Sequence, residues 1–295
     1  VQEQKSRFDY FVNQVAPKMD AEQKANLTMG FAGGMTLHEW SKIVRHFTEL
    51  ARKTKSFQLA MIIQMQLPFI ERAARAMHKG TMAMAKGQPI GDGAGPLAAA
   101  HLIGNLKTEE IEEDIVMARK TMDGKTVFVI KAKGPGGRLG RPGKAIEKLA
   151  KNGKIAKIIS IDAAAKLEGE TTGSIAEGVG VAMGGVGVER SYIEEVAVKQ
   201  SIPLDSIVVK MSSEEAIMPM RKAIKDALPK VMESVSRSLE PVKKNEAVII
   251  VGVGNTSGVG NSLAAAKQAE EWVEKYERQA KAEERKQKKR WKFGF

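Results

Sequence analysis

Four short runs rich in β-branched residues, Thr126–Lys131, Lys157–Ile161, Ser206–Lys210 and Ala247–Val251, alternate with glycine-rich turns and segments of helical pattern. Nothing else in the chain limits its fold as strongly. Strands separated by helices are joined by right-handed crossovers, which put helices on both faces of a mainly parallel sheet. Residues 89–262 are therefore expected to form an α/β domain. Its helices are expected at Pro96–Gly104, Thr108–Lys120, Gly143–Lys151, Arg190–Lys199, Ser213–Leu239 and Ser262–Arg290, with Pro219 and Pro229 breaking the fifth. In such sheets ligands bind beyond the carboxyl ends of the strands, where the glycines of this chain cluster.

Residues 1–88 lack that texture and read as helical throughout. A first helix, Arg7–Val15, stops near Pro17, and Asp20 with Gln23 has the spacing of a capping box. The helix that follows runs towards Lys53, and Gly30, Gly33 and Gly34 predict a break inside it. A third helix, Ser56 to Lys86, should kink at Pro68, and its methionines (61, 65, 77, 82 and 84) are assigned to core filling rather than to a sticky partner surface. Residues 263–295 make a third part. There a helix with an apolar face from Leu263 to Tyr276 continues into a basic tail and should leave the body of the protein or fray.

Composition sets outer limits. With 295 residues, 43% apolar and 28% charged, the chain can bury a full core. It has no cysteine, which excludes disulfide and thiolate chemistry and makes a reducing interior the simplest home. His38, His46, His78 and His101 show no metal-ligand spacing, so a dedicated zinc site is not expected. No apolar run reaches the ~18 residues a membrane span needs. The chain opens on Val1 rather than Met, which we read as a missing upstream segment. Of the net charge of +12, half lies between Lys275 and Lys292, where nine Lys and Arg face three Glu. Lys286, Lys288, Lys289, Arg290 and Trp291 interleave cations with an aromatic ring, a pattern suited to RNA, a ribosome surface or acidic lipid; a solvated tail is the bland alternative.

Several motifs carry possible chemistry. Pro89-Ile-Gly-Asp-Gly-Ala-Gly-Pro96 sets Asp92 among Gly91, Gly93 and Gly95 directly before a helix, as a general base, a metal ligand or an N-cap. Ile158-Ile-Ser-Ile-Asp162 ends a hydrophobic strand in a carboxylate, which is costly to desolvate without a role. If Asp92 and Asp162 converge, one would be held protonated, as acid/base work on a water requires. The loop Gly134–Gly143 carries Arg138 and Arg141, with Lys144 following; it suits a phosphate, a carboxylate or a nucleic-acid backbone, or is a basic surface loop. Gly252-Val-Gly-Asn-Thr-Ser-Gly-Val-Gly260 contributes Gly252, Gly254 and Asn255 to a glycine-lined face. It has the wrong spacing for a dinucleotide fingerprint and lacks a P-loop lysine, so neither NAD nor ATP is expected. Gly178–Gly187 reads as a second close-approach loop or hairpin near the same site. Lys210, at a strand end, would neutralise a carboxylate, bind an anion or reach solvent.

On PIGDGAGPLAA, SIDAAA, GGVGVER, IVVKMSSEEAI and VIIVGVGNTSGVGN, the chain resembles an archaeal family, domain of unknown function 1512, over nearly its whole length. The resemblance implies a membrane anchor upstream of Val1 and a location on the cytoplasmic side. More remotely, the α/β part is similar to the superfamily of germination proteases and hydrogenase maturation proteases, whose fold is phosphorylase/hydrolase-like. That similarity implies catalytic aspartates at Asp92 and Asp162. Nickel binding as in the hydrogenase branch is not implied, because no histidine takes the expected place. In that superfamily a G-x-G-N strand precedes the first aspartate, whereas here it is Val248–Asn255. The resemblance thus implies a circularly permuted sheet, which would set Gly252 to Asn255 beside Asp92.

Two functions lead from sequence, with a nucleotide sensor using the glycine loops as a weaker third. One is a membrane-linked hydrolase or peptidase-like protein acting on a peptide through the aspartate pair, with a divalent metal as an open option. The other is a non-enzymatic protein that binds a ribosome, RNA or anionic lipid through its tail. A homo-oligomer is compatible with both.

Overall fold

The computed structural model describes the backbone of residues 2–180 and 188–292, and the side chains within these ranges except at 2–5, 188–190, 284 and 287–292. Three helices come first: α1 (Gln2–Val15), α2 (Ala21–Thr54) and α3 (Phe57–Ala85). Asp20 caps α2 in a complete capping box, with Gln23 N–H donating to its carboxylate at 2.8 Å. The expected break in α2 is absent. Gly30 and Gly33 instead let α3 approach: a Cβ on Gly33 would lie 2.2 Å from the Thr81 hydroxyl, and one on Gly30 2.8 Å from Ala85. The methionines of α3 also depart from expectation. Only Met84 is buried, while Met61, Met65 and Met82 are 47%, 64% and 45% exposed, because nothing described packs on the outer face of α2 and α3 there.

The remaining chain builds a seven-stranded sheet: β1 (Glu109–Glu112), β2 (Ile115–Met122), β3 (Lys125–Ala132), β4 (Ile155–Ala165), β5 (Ile175–Val179), β6 (Leu204–Met211) and β7 (Ala247–Gly252). Its order is β1-β2-β3-β7-β4-β6-β5. The four central strands are parallel, and antiparallel strands finish both edges, so the sheet is mixed. The helix expected over Thr108–Lys120 is wrong for a local reason. Asp123 and Gly124 both have positive φ (49° and 77°), the Asp-Gly turn that closes a two-residue hairpin between β2 and β3.

Helices cover both faces. On one lie α4 (Ala94–Ile103), α8 (Lys222–Lys225), α9 (Leu228–Leu239) and α10 (Leu263–Lys292); on the other lie α5 (Pro142–Asn152) and α6 (Val188–Lys199). The pleat of β7 serves both cores: Val248 and Ile250 point into the first, Ile249 and Val251 into the second, and all four are fully buried. The segment Ser213–Leu239 is broken as expected, into three helices: α7 (Ser213–Ile217) stops before Pro219, α8 follows, and Pro229 opens α9.

Candidate functional site

The last strand in sequence is the most central in space. β7 pairs with β3 through Lys131↔Gly252 and with β4 through Ile161↔Gly252, so the ends of three parallel strands meet at one glycine. The N–H of Val253 then donates to the Ile161 carbonyl at 2.9 Å, carrying the ladder one residue further.

Helix α4 begins against this edge. It is buried from Ala94 to Ala100, and its start fits because the contact residues lack side chains. A Cβ on Gly95 would lie 2.3 Å from the Val253 carbonyl and 2.4 Å from that of Ile161; one on Gly252 would lie 2.4 Å from the Gly95 carbonyl. Gly254, at φ +134°, passes directly over the Asp92 carbonyl. Gly91 packs likewise on Glu215, and Gly93 near Asn255 and Met220. The five glycines expected to line a ligand also serve close approach between segments of the protein.

Asp92 lies in the 3-10 turn Gly91–Gly93 ahead of α4. It is not an ordinary helix cap, since the α4 N-cap position is Gly93. Its Oδ2 accepts the Asn255 N–H at 2.9 Å, tying the start of α4 to the loop after β7. The Asn255 side chain is buried and accepts from the Ser257 N–H at 2.8 Å. Gly254 and Asn255 thus lie beside Asp92, while Gly252 lies against Gly95 and Ala99. Asp162, only 4% exposed, follows Ile161 on β4, and its Oδ1 accepts the N–H of Ala163 at 2.6 Å. The turn carrying Asp92 is itself in contact with β4. Both aspartates therefore belong to the carboxyl edge of the central strands, one reaching it through Asn255 and the other growing from it.

The cationic residues go elsewhere. Arg138 is 12% exposed and pairs with Glu22 at 2.6 Å and Asp114 at 3.3 Å, while Arg141 pairs with Glu113 at 3.3 Å. Lys144 is exposed on α5, so the three do not form one free cationic cradle. Glu22 also accepts the Gly136 N–H, and Asn26 the Gly137 N–H, so the first turns of α2 hold the β3–α5 loop. Thr256 is fully buried and its hydroxyl meets the carbonyls of Lys133, Gly136 and Arg138. Lys210 lies 3.5 Å from Glu170 rather than at either aspartate. The Leu167 N–H, and then Lys210, hold the Glu170 carboxyl below its ordinary range.

Sequence reasoning passed over Lys131. It ends β3 opposite Gly252, is 0% exposed, and donates to the Ala132 carbonyl and to Asn261 Oδ1, both at 2.8 Å. Burial pushes its ammonium down from 10.5 to about 7, a drop that Glu22 partly opposes. The available signal was the one used for Asp162: an ionisable residue where a hydrophobic strand should end.

Among the described residues, no three His, Asp or Glu side chains form a group that could hold a metal ion, and no helix is long and apolar enough to cross a membrane. Helix α10 has its last fully buried residue at Val273, and Trp272 stacks on Tyr276 with ring centroids 5.2 Å apart. Lys286 is exposed beyond them; Lys288, Lys289, Arg290 and Trp291 continue the helical backbone, and their side chains lie outside the described residues. The Gly178–Gly187 segment falls partly in β5 and, from residue 181, outside the described residues as well.

Two family models match the chain. The domain of unknown function (DUF1512) C-terminal covers residues 90–260, and the DUF1512 N-terminal domain covers residues 1–87. The chain belongs to the DUF1512 family. No curated protein and no solved structure matches it. Within this DUF1512 chain, the β4–β7 edge with its two aspartates and the β7 loop lie inside the C-terminal match, whereas Glu22 and Asn26, which hold the neighbouring loop, come from the N-terminal one.

Proposed function

We propose that this DUF1512 protein is a hydrolase of the peptidase-like kind that activates water at the carboxyl edge of β4 and β7. The observation that carries the reading is a nearly buried carboxylate, Asp162, on a central parallel strand just past its last pair with β7, whose loop anchors a second carboxylate, Asp92, through Asn255. In this reading the aspartates orient a water and take its proton as its oxygen bonds to the substrate carbonyl carbon. The proton passes to the leaving amine as the C–N bond breaks, and backbone N–H groups of the glycine loops face the developing oxyanion. The position of β7 beside Asp92 supports the remoter likeness to the germination and hydrogenase maturation protease superfamily. The test is hydrolysis of a fluorogenic peptide panel by the full chain and by Asp92→Asn and Asp162→Asn. Each substitution should lower turnover by ~10²-fold or more with thermal unfolding unchanged. Wild-type protein silent across the panel, or unaffected variants, would overturn the reading.

A second reading is favoured by α10 itself. It runs from Val273, its last fully buried residue, to Lys292, about 28 Å of helix at ~1.5 Å per residue, and carries the nine cations from Lys275 onward. That arm would bind RNA or anionic lipid on the cytoplasmic side of a membrane. Its affinity should fall steeply with salt and vanish when residues 276–295 are deleted; a flat salt response excludes it.

A further inference from the structure

Helix α10 stays helical for about five turns past Val273, its last fully buried residue. Its inner part is firmly anchored. Ala266, Ala269 and Val273 are buried, Trp272 stacks on Tyr276, and Glu274 meets Lys225 at 2.7 Å and Lys222 at 3.1 Å. From Glu277 to Arg290 the sequence is ERQAKAEERKQKKR. Every residue in it is a strong helix former, and Glu277 approaches Lys281, one turn on, at 3.5 Å. The helix therefore continues without an apolar face to pack. The body sets its direction, so docking has little left to order.

The cations of this arm are not spread evenly round it. At ~100° per residue, the positions of Arg278, Lys281, Arg285, Lys288, Lys289 and Lys292 fall within an arc of about 100°, along about 21 Å of helix. Lys275, Lys286 and Arg290 lie outside the arc, and so do the three glutamates, 277, 283 and 284. The arc is about a third of a turn from the line of Ala266, Ala269, Val273 and Tyr276 by which the helix packs. Arg278, Lys281 and Arg285 are exposed on it. What the arm lacks narrows its partner. A helix that lies in a bilayer surface needs an apolar face, and between Tyr276 and Trp291 the only apolar residues are Ala280 and Ala282. Single strands are held by stacking bases on aromatic rings, and that stretch contains none. A duplex requires neither, because its phosphates alone present rows of charge.

We propose that this arc of α10 docks on the phosphate rows of an RNA duplex, an inference that rests on the tail-binding reading above and specifies its partner. An A-form duplex sets its phosphates on both rims of a deep, narrow groove. Arg285 and Lys292 occupy the middle of the arc, Arg278 and Lys289 one flank, and Lys281 and Lys288 the other. One helix thereby addresses both rims. Such contacts follow the shape and charge of the duplex and carry no base sequence.

The test titrates a fluorescein-labelled RNA duplex of about 20 base pairs with the full chain and reads anisotropy. The logarithm of the affinity should fall against that of salt concentration with a slope of about −5, from six contacts at ~0.9 each. The variant Arg278→Gln/Lys281→Gln/Arg285→Gln should reduce that slope to about −3. It should also lose at least tenfold more affinity than Lys275→Gln/Lys286→Gln/Arg290→Gln, which removes the same charge from the rest of the helix. Glutamine keeps the helix propensity, and circular dichroism checks that both variants remain as helical as the wild type. Equal losses overturn the arc and leave a tail that binds by charge alone. A single strand or a DNA duplex of the same length, bound more tightly than the RNA duplex, overturns the choice of partner. Phosphatidylglycerol vesicles bound in preference to the duplex, or no binding of RNA at all, overturn the proposal together with the RNA branch of the tail reading.

Discussion

Replacing Lys131 by Met should stabilise the protein at neutral pH and flatten its response to alkali. Lys131 is fully buried, with two neutral hydrogen-bond acceptors at 2.8 Å, and its ammonium falls from 10.5 to about 7 because burial penalises the charge. The sign follows from linkage. Between the folded value and that of the unfolded chain, the unfolded state holds more protons, so wild-type stability rises as pH increases and is lost as pH falls back through the folded value. A drop of that size, at ~1.4 kcal/mol per unit, is a penalty on the order of 5 kcal/mol at pH 7 and below. Methionine removes the penalty but forfeits two hydrogen bonds of about 1 kcal/mol each, so a net gain of roughly 3 kcal/mol is expected at pH 7. Asn261 Oδ1 keeps the Gly134 N–H as a partner at 2.9 Å, which limits the loss. Urea unfolding at pH 7, 8 and 9 reads the effect directly. The advantage of Lys131→Met should shrink by about 2 kcal/mol across that range, as the wild-type amine loses its proton. Parallel pH profiles for the two proteins would mean that Lys131 titrates alike folded and unfolded, and would refute the reasoning.

Other substitutions test the packing around the site. Gly252→Ala puts a Cβ 2.4 Å from the Gly95 carbonyl and 2.6 Å from Ala99, and should cost about 3 kcal/mol in urea unfolding; a loss below ~1 kcal/mol would argue against the close approach. Arg138→Ala removes the contacts to Glu22 and Asp114 and should cost about 2 kcal/mol, less than a fully buried pair because Glu22 is one-third exposed. Limited proteolysis should then cut between Gly134 and Arg141 first. Thr81→Val replaces a buried hydroxyl that has no hydrogen-bond partner among the described residues, and should raise the melting temperature by removing a burden of about 1 kcal/mol. A fragment ending at Pro241 lacks β7, whose Val248 to Val251 are fully buried, and should show no cooperative unfolding until residues 242–295 are added back.

What could be read from sequence was whatever depends on local pattern. The four central strands, the capping box at Asp20 and the proline breaks near α7 and α9 follow from short-range rules, and each appears close to its expected bounds. Thr108–Lys120 failed because apolar residues at Ile111, Ile115 and Val116 suit a helical period as well as a strand. The decisive feature, Asp123-Gly124, lay just beyond the window. In α2 the glycines suggested a break where they serve contact with α3. At the site they allow α4 to touch β4 and β7. A glycine reports that something comes close, and only the tertiary structure says what. Lys131 and the pairing of Arg138 with Glu22 were invisible for the same reason, since their partners lie 130 and 116 residues away along the chain.

Strand order explains why the site is both hard to read and strongly held. Because β7 is last in sequence and central in space, Asp92 meets Asn255, and the strand carrying Asp162 meets β7, only when residues 92 to 255 are already arranged around it. The same insertion recruits the helical part. Asn261, just after the β7 loop, binds both Lys131 and the Gly134 backbone, and the loop beginning there is held from outside by Glu22 and Asn26 of α2. A carboxylate and an amide from α2 fix the loop that flanks the aspartates. The first turns of α2 and the β3–α5 loop therefore form one hydrogen-bonded unit beside the sheet edge.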